Sequence, residues 1–331
     1  MDHAPARRAL RQYSEALARP GHGRRREALT AFFAPDAKIE VVHPFNACGA
    51  AEGFEARCLG PLSEAFDDLS RTDYIAMTGT FEGDVWTTTT GYWSGHFARD
   101  WLGIPATGSL AHLRFGEFHK MEGAKAIESY VFLDLPELMI AADAWPITES
   151  PGVERGFTGY LPGPMTQDGL LWTETDAEES QRSYQIVTDM LAGLATPDEA
   201  WRPFWAKDML WYGPAAFGSF KGIEHFAGFQ VPFEATFEGW SGGSSGNGMT
   251  RHFTRFGDGS YTCSGGWPSL TGVQVGSFLG QPASGQRVFM RVCDWWRRDG
   301  DALLENWVFV DVPDVLRQLG LDIFADVEVT P

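Results

Sequence analysis

The sequence has little positive charge and no long apolar run. Its 331 residues include 26 Lys and Arg against 44 Asp and Glu, which gives a net charge of -18. So acidic a chain repels phosphate backbones and anionic lipid surfaces. Its apolar runs also fall short of the roughly 18 to 20 residues that a membrane-spanning helix needs. We therefore expect no nucleic-acid partner and no membrane partner.

Cysteine is scarce as well. The four residues Cys48, Cys58, Cys263 and Cys293 include no C-x-x-C pair, and a chain of this length does not need disulfides to stabilise its core. The N-terminal residues lack the apolar segment of a secretory signal peptide. Together these features predict a soluble protein with reduced thiols, and we expect a cytoplasmic location.

Motifs typical of cofactor or metal sites are missing too. The sequence contains no G-x-G-x-x-G after a strand pattern, no P-loop, no G-x-S-x-G elbow and no H-E-x-x-H pair. His43, His96 and His119 could bind a metal in principle, but they do not have the paired spacing of metal ligands. We therefore expect neither a cofactor nor a metal ion.

A long internal repeat is the most informative feature that is present. Residues 101–139 and 278–316 align without a gap, with Leu102 opposite Leu279 and Asp134 opposite Asp311, an offset of 177 in both pairs. The repeat predicts one domain over residues 1–148 and a second over 179–331. Residues 149–178 between them are rich in Gly and Pro but also contain aromatic side chains. We therefore expect a linker that packs across a domain surface.

Both copies have the same order of predicted elements. Apolar residues at helical spacing come first, over 7–17 and 25–33 in one copy and over 183–194 in the other. Strand patterns rich in Thr, β-branched and aromatic residues follow, such as 84–97, and a hairpin is predicted around 121–125. Helices followed by a long antiparallel meander are typical of the α+β class.

The turns LGIPATG and LGQPASG, each followed by a hairpin that ends in E-x-x-x-x-x-D, resemble the SnoaL-like polyketide cyclases of the nuclear transport factor two-like superfamily. The resemblance covers most of both copies. It implies two tandem cone-shaped α+β barrel domains, each a curved antiparallel sheet wrapped on helices around a mostly apolar pocket for a small-molecule ligand. Since family members commonly dimerise through their sheets, it also implies an intrachain pseudo-dimer, and further homo-oligomer formation stays open.

The resemblance also implies where a cyclase would hold its acid/base Asp, namely three residues before Asp134 and Asp311. Those positions are Val131 and Val308, so the family's base is absent from both copies. Strand periodicity puts Val131 on the opposite face from Glu128 and Asp134. We therefore expect the valines to line the pocket as an apolar wall and the repeated acidic face to be scaffold. Each Asp-x-Pro step also predicts a helix start.

The two copies differ mainly in their polar residues. The first has His43, His96, Glu117 and His119 where the second is mostly apolar, although Asp294 keeps an acid at the position of Glu117. A histidine of near-neutral pKa beside a carboxylate can serve as a general acid/base pair. We therefore predict an active first domain with His43, Glu117 and His96 as catalytic residues. A structural or surface role is the alternative for each histidine.

Further residues of the first copy are predicted to bind the substrate: Trp86, Tyr92, Trp101, Arg114, His119 and Val131. A structural ion pair is the alternative for Arg114, because Arg291 occupies the matching position of the second copy. The predicted function is cofactor-free general acid/base chemistry on a carbonyl, enol or ester compound, of isomerase, cyclase, lyase or hydrolase type. The alternatives are a non-catalytic small-molecule binding protein and a structural pseudo-dimer that presents its surface to a partner.

Overall fold

The computed structural model describes residues 2–18, 22–147, 151–152, 162–194, 196, 198–242 and 248–329. The chain divides into two compact units. The first comprises Met1–Trp145, Gly163–Glu174 and Ile323–Pro331, and the second comprises Pro146–Pro162 and Thr175–Asp322. Among the described residues, no helix is long and apolar enough to cross a membrane.

The first unit contains five α-helices and a six-stranded sheet in its described part. The helices are α1 (Ala4–Leu17), α2 (His22–Phe32), α3 (Ala51–Phe54), α4 (Gly60–Ala65) and α5 (Leu135–Ala141), with a π-helical turn at Glu55–Leu59. The strands are β1 (Phe33–Val41), β2 (Asn46–Gly49), β3 (Ser70–Phe81), β4 (Asp84–His96), β5 (Leu110–Glu122) and β6 (Lys125–Leu133). Their order is β2-β1-β6-β5-β4-β3, with β1 and β6 parallel and the other neighbours antiparallel.

The second unit contains three α-helices and a seven-stranded sheet in its described part. The helices are α6 (Ala177–Ala192), α7 (Ile223–Ala235) and α8 (Val312–Gln318), with a 3-10 turn at Arg202–Phe204. The strands are β7 (Trp205–Tyr212), β8 (Ser219–Lys221), β9 (Phe237–Gly242), β10 (His252–Asp258), β11 (Tyr261–Gln274), β12 (Arg287–Asp299) and β13 (Ala302–Val310). Their order is β10-β11-β12-β13-β7-β8, and β9 pairs with β11.

Both sheets therefore have one strand order, in which the last strand of the unit pairs in parallel with the first. The α+β class predicted from the sequence is confirmed. The two predicted helix starts are also correct, because α5 and α8 begin directly after Asp134 and Asp311.

Local chemistry explains several of the element boundaries. Asp176 caps α6 by accepting from two backbone N–H groups, and the turn between β3 and β4 places Glu82 and Gly83 at positive φ, as a tight hairpin requires.

The helices of each unit pack on its own sheet. In the first unit α1 contacts β3 and β4, and it buries Leu10, Tyr13 and Leu17, which helical spacing places on one side. In the second unit α6 contacts β10 and β11, while α7 contacts β7, β8 and β9. Each sheet therefore encloses an interior beneath helices, and residues that share the inner face of neighbouring strands meet there.

The described part of the predicted linker belongs to both units. Residues 148–150 and 153–161 lie outside the described residues. Gly163–Glu174 packs with the first unit, where the backbone N–H of Ala76 in β3 donates to Gly169 at 2.9 Å and that of Leu171 donates to Ala76 at 3.0 Å. The C-terminal Ile323–Pro331 also belongs to the first unit. The first unit thus comprises three separate segments of the chain, and the second comprises two.

Buried charged groups surround the start of α5. The Arg114 guanidinium pairs with Asp134 at 3.1 Å, which is the structural ion pair considered above as the alternative to substrate binding. Glu137 lies beside this pair and accepts from the Arg114 backbone N–H at 2.8 Å and from the Tyr92 hydroxyl at 3.1 Å. Burial, and then the negative charge of Asp134, raise the pKa of Glu137 to about 8.

The raised pKa of Glu137 predicts a loss of stability in mild alkali. The folded state binds this proton more tightly than the unfolded chain does, so the stabilisation is present at low pH and is lost as pH rises from about 4.5 through about 8. Glu137→Gln should remove this dependence. In urea unfolding, we expect the variant to lose less free energy of unfolding than the wild type between pH 6 and pH 9. Glu122→Gln, at an exposed position in β5, is the control; equal pH dependence in all three proteins would contradict the prediction.

Candidate functional site

The two copies each place one carboxyl group at the centre of the sheet. Glu117 in β5 lies directly opposite Val131 in β6, and Asp294 in β12 lies directly opposite Val308 in β13. Residues directly opposed in antiparallel strands share a face and have Cβ atoms about 4.5 to 5.5 Å apart. Each carboxyl group therefore lies one strand away from the position where the family resemblance implies a catalytic Asp.

In the first unit, Glu117 is fully paired. The two terminal nitrogens of Arg71 donate to its two carboxylate oxygens, each at 3.0 Å, and Arg71 Nε donates to Asp73 at 3.0 Å. The Arg71 guanidinium also lies over the Phe115 ring, 4.1 Å from its centroid. This is a two-bond arginine–carboxylate pair, the geometry that recognises a carboxylate most strongly.

His119 completes this cluster. Its Nε2 lies 3.5 Å from Glu117 Oε2, and its Nδ1 lies 2.9 Å from the Ser129 hydroxyl. The ring packs edge-on against Phe32 at 4.8 Å between centroids, and Tyr13 stacks on Phe32 at 4.3 Å. His119 and Glu117 are 0 % and 1 % exposed, so packed side chains occupy the space beside the carboxylate.

The electrostatics of this cluster disfavour proton transfer. Burial alone would raise the pKa of Glu117, but the charge of Arg71 and the hydrogen bond with His119 outweigh it and hold the pKa below its ordinary value. Burial lowers the pKa of His119, against the opposing attraction of Glu117. Glu117 is therefore ionised near neutral pH and paired through both of its oxygens, which makes it a structural ion-pair partner and a poor base.

The other predicted catalytic residues do not meet Glu117. His96 is exposed at the end of β4, whereas Glu117 pairs with Thr89 of that strand, seven residues and about 20 Å away. His43 lies in the turn after β1, two strands from β5, and its ring is 5.9 Å from that of Phe324. The structure therefore does not bring the predicted catalytic residues His96 and Glu117 together, and His43 lies near different residues.

The predicted substrate-binding residues are divided between the two faces of the sheet. The uninterrupted ladder between β4 and β5 puts Trp86, Tyr92 and Arg114 on the opposite face from Glu117, because side chains alternate along a strand. Val131 and His119 share the face of Glu117, and Trp101 is buried in a turn 6.1 Å from the Phe45 ring. Trp86, Tyr92 and Arg114 therefore cannot line a pocket with Glu117.

A cavity of about 470 Å³ lies in the second unit. Its walls come from α6, α7 and the inner faces of the strands, and most of its lining is aromatic or aliphatic. The main aromatic contributors are Trp205, Trp211, Phe226, Phe229, Phe233 and Trp296. Val308 and Val310 also line the cavity, which is the role that the family resemblance implied for the valine face. This volume and lining are typical of small-molecule sites.

A row of cross-strand neighbours provides the polar side of the cavity. Arg255 in β10 lies opposite Ser264 in β11, Ser264 lies opposite Asp294 in β12, and Asp294 lies opposite Val308. In the first unit the corresponding row contains Ala76 at the position of Arg255. The arginine of this region therefore comes from a different ladder position in each unit. Arg71 forms a two-bond pair with Glu117, whereas Arg255 contacts His252.

His252 fixes the position of Arg255. An Arg255 terminal nitrogen contacts His252 Nδ1, and His252 Nε2 lies 2.9 Å from the Ser269 hydroxyl. Because a guanidinium can only donate, Nδ1 must accept, which places the ring proton on Nε2, facing Ser269. Burial and the charge of Arg255 lower the pKa of His252 to about 3, so the ring is neutral near pH 7. His252 is thus a neutral orienting group.

Asp294 has the opposite electrostatic character from Glu117. Burial raises its pKa to about 7, although a hydrogen bond from Asn306 and the charge of Arg255 partly oppose this effect. The side chain is half-buried because it borders the cavity. Near neutral pH both of its protonation states are therefore populated, which is the condition for efficient general acid or general base catalysis.

The larger number of histidines in the first copy led to the prediction of an active first domain. That prediction did not identify Arg255, His252 and Asp294 as a candidate site. One sequence signal was available: the acid at the Glu117 position persists as Asp294 while His119 is replaced by Trp296. An acid that remains when its surroundings become more apolar acquires a raised pKa. The apolar surroundings of Asp294 therefore indicate the candidate site better than the number of polar residues in each copy does.

Among the described residues, no group of three or more His, Cys, Asp or Glu side chains could hold a metal ion. All four cysteines are buried, and none of them forms a disulfide bond. The polar side chains that line the cavity are one carboxyl group, one guanidinium, one neutral imidazole, two amides and several hydroxyl groups.

Loss of the first-unit ion pair should affect stability. Arg71→Met leaves the Glu117 carboxylate buried without its main partner, which should lower the free energy of unfolding by about 3 to 5 kcal/mol. Adding Glu117→Gln removes the stranded charge and should restore part of the loss. Arg99→Met, at an exposed pair with Asp67, should cost about 1 kcal/mol or less. Denaturant unfolding followed by circular dichroism measures all three; an Arg71→Met loss no larger than that of Arg99→Met would contradict the assignment.

Comparisons with known proteins find similarity in solved structures alone: no family model and no curated protein matches the chain. A SnoaL-like protein from Jannaschia sp. CCS1 is 21% identical, with a TM-score of 0.36 over 44% of this chain and 99% of that one. A protein with a ketosteroid isomerase-like fold from Catenulispora acidiphila is 17% identical, with a TM-score of 0.34 over 41% and 93%. An LEH-like epoxide hydrolase from M. tuberculosis is 15% identical, with a TM-score of 0.33 over 45% and 97%. All three structures are under 25% identical to this chain, and each covers less than half of it.

Proposed function

We propose that the second unit is the active one and that it catalyses cofactor-free proton transfer on an apolar carbonyl or enol compound. Asp294 is the general acid or base. The observation that supports this most directly is a carboxyl group with a pKa of about 7 at the wall of an aromatic cavity, beside a guanidinium. The proposal moves the site from the predicted first domain to the second and retains the predicted type of chemistry.

Asp294 suits this role because of both its position and its proton affinity. Directly opposite Val308, it faces the same interior that a family Asp on the neighbouring strand would face. Its carboxylate form can remove a proton from a carbon next to a carbonyl group, and its acid form can return the proton to another atom. Positioned acid/base groups of this kind typically contribute about 10²- to 10⁴-fold to the rate.

Arg255 supports the same reaction electrostatically. Removal of a proton next to a carbonyl group moves negative charge onto the carbonyl oxygen. A fixed guanidinium in an apolar, largely buried site stabilises that developing charge more than a hydrated one would. His252 and Ser269 hold the guanidinium in place, so they act as positioning residues.

The first unit takes a structural role in this proposal, because its carboxylate is saturated by Arg71. The intrachain pseudo-dimer, the division into domains with a packed linker and the cytoplasmic location stay predictions. A binding protein that holds an apolar ligand without changing it is the second candidate function, since the aromatic cavity alone would be enough for binding.

Deuterium exchange tests catalysis without knowledge of the natural substrate. 2-Tetralone is an apolar carbonyl compound with exchangeable protons next to its carbonyl group. In D2O, proton NMR should show faster loss of these protons with the wild-type chain than in buffer. Asp294→Asn should lower the protein-dependent rate by about 100-fold or more. Asp299→Asn, an exposed position in the same strand, is the matched control and should leave the rate unchanged.

The pH dependence of exchange identifies the base. If Asp294 removes the proton, the rate should rise with pH through about 7 and level off once the carboxylate predominates. Wild-type protein that binds 2-tetralone, seen as shifts of its NMR signals, without exceeding the buffer rate would favour the binding protein. An unchanged rate in Asp294→Asn would exclude Asp294 as the base.

The same substitution should stabilise the fold. The raised pKa of Asp294 means that stabilisation present below about pH 4 is lost as pH rises through about 7, because the folded state then holds an ionised carboxylate in an apolar site. Asp294→Asn avoids this cost. We expect its Tm to exceed that of the wild type at pH 8 and to match it closely at pH 4, as measured by scanning calorimetry. A lower Tm at pH 8 would indicate that Asp294 is a paired structural carboxylate.

A further inference from the structure

Arg255 is a buried cation with no carboxylate partner among the described residues. It is 6% exposed, its Nε has no hydrogen-bond partner in the described part of the chain, and its contact through a terminal nitrogen is with the neutral His252. The nearest acid along β10, Asp258, falls on the opposite face by strand alternation and accepts from the Thr175 hydroxyl at 2.5 Å. Burial accordingly lowers the pKa of Arg255, although nearby Tyr184 and Asp294 oppose this.

The charges that line the cavity do not balance when Asp294 holds its proton. His252 is neutral near pH 7, and Asn306, Gln230 and the serines have no charge. Arg255 is then the one charged group in the lining, as far as the described residues go. A buried cation without a counter-ion is costly, whereas an anion that enters the cavity can pair with it at short range.

We propose that the ligand of this cavity is an apolar, ring-containing molecule with a single carboxylate or enolate group, and that Arg255 binds this anionic group. The inference rests on the proposed function only in taking the cavity of the second unit as the ligand site. The planar donors of a guanidinium match the two oxygens of a carboxylate or of a dicarbonyl enolate. The aromatic walls, among them Phe229, Phe233 and Trp296, match flat rings.

The same arrangement explains why the second unit keeps its arginine apart from its acid. In the first unit Arg71 is saturated by Glu117 and Asp73. Arg255 instead reaches the cavity from the position in β10 that corresponds to Ala76 in β3 of the first unit. The His252 imidazole orients the guanidinium and leaves some of its N–H donors available. A guanidinium that is held in place but not neutralised is suited to bind an external anion.

A pair of probes of equal shape tests this directly. 2-Naphthoate and 2-naphthamide have the same ring system and similar planar end groups, but the first is anionic and the second is neutral. Isothermal titration calorimetry on the full chain at pH 7 should show a Kd at least tenfold lower for naphthoate. Arg255→Met should abolish this preference and leave the naphthamide Kd within about twofold. Arg287→Met, an exposed arginine in β12, should preserve the wild-type preference.

Two outcomes would overturn the inference. One is wild-type protein that binds both probes equally or prefers the amide, a result that does not depend on the folding of any variant. The other is folded Arg255→Met protein that still prefers naphthoate. Arg255→Lys, which keeps the charge, should retain part of the preference.

Asp294→Asn separates this inference from the proposed function. This variant should keep the preference for naphthoate, because Arg255 is intact. A clear naphthoate preference together with no wild-type exchange of 2-tetralone would refute the catalytic proposal and support the anion site. Normal exchange without a naphthoate preference would refute the anion site and leave the catalytic proposal in place.

Discussion

A carboxyl group beneath aromatic side chains must either pair with a cation or keep its proton, because an isolated buried charge is too costly. The chain shows both outcomes at matching positions of its two sheets, Glu117 and Asp294. In the first unit Arg71 pairs with the carboxylate and aromatic rings pack around both. In the second unit the carboxyl group borders a cavity and titrates near neutral pH.

The two solutions favour different properties of the protein. A saturated ion pair needs close packing, which removes space for a ligand, and it opposes protonation of the carboxylate. A carboxyl group of raised pKa needs an apolar and partly open environment, which costs stability but permits proton transfer near pH 7. A repeated fold can thus hold either kind of carboxyl group without changing the order of its strands.

Much of the architecture was predictable because it depends on local patterns. The α+β class, the hairpin turns and the helices after Asp134 and Asp311 follow from periodicity, Gly and Pro positions and helix caps. The place of Val308 in the cavity lining was implied by the family resemblance together with strand alternation. The constant offset between the copies also identified Asp294 as the counterpart of Glu117 before any contact was known.

The location of the site was not predictable in the same way. Which unit holds a cavity depends on the volumes of side chains from distant elements, such as Tyr13 and Phe32 beside Glu117. Arg71 and Arg255 come from different ladder positions, so neither could be assigned to its carboxyl group from the repeat. Alternation along β4 and β5 could have separated Trp86, Tyr92 and Arg114 from Glu117, but the prediction grouped them by residue type.

The first unit is discontinuous in sequence, and this affects how the chain can be made. Its edge strand β3 hydrogen-bonds to Gly169 and Leu171, and the turn at His43 packs near Phe324, close to the last described residue. During synthesis, the N-terminal sheet therefore leaves the ribosome well before the segments that complete its edge and its turn. The unit that begins the chain is finished only after the whole second unit has been translated.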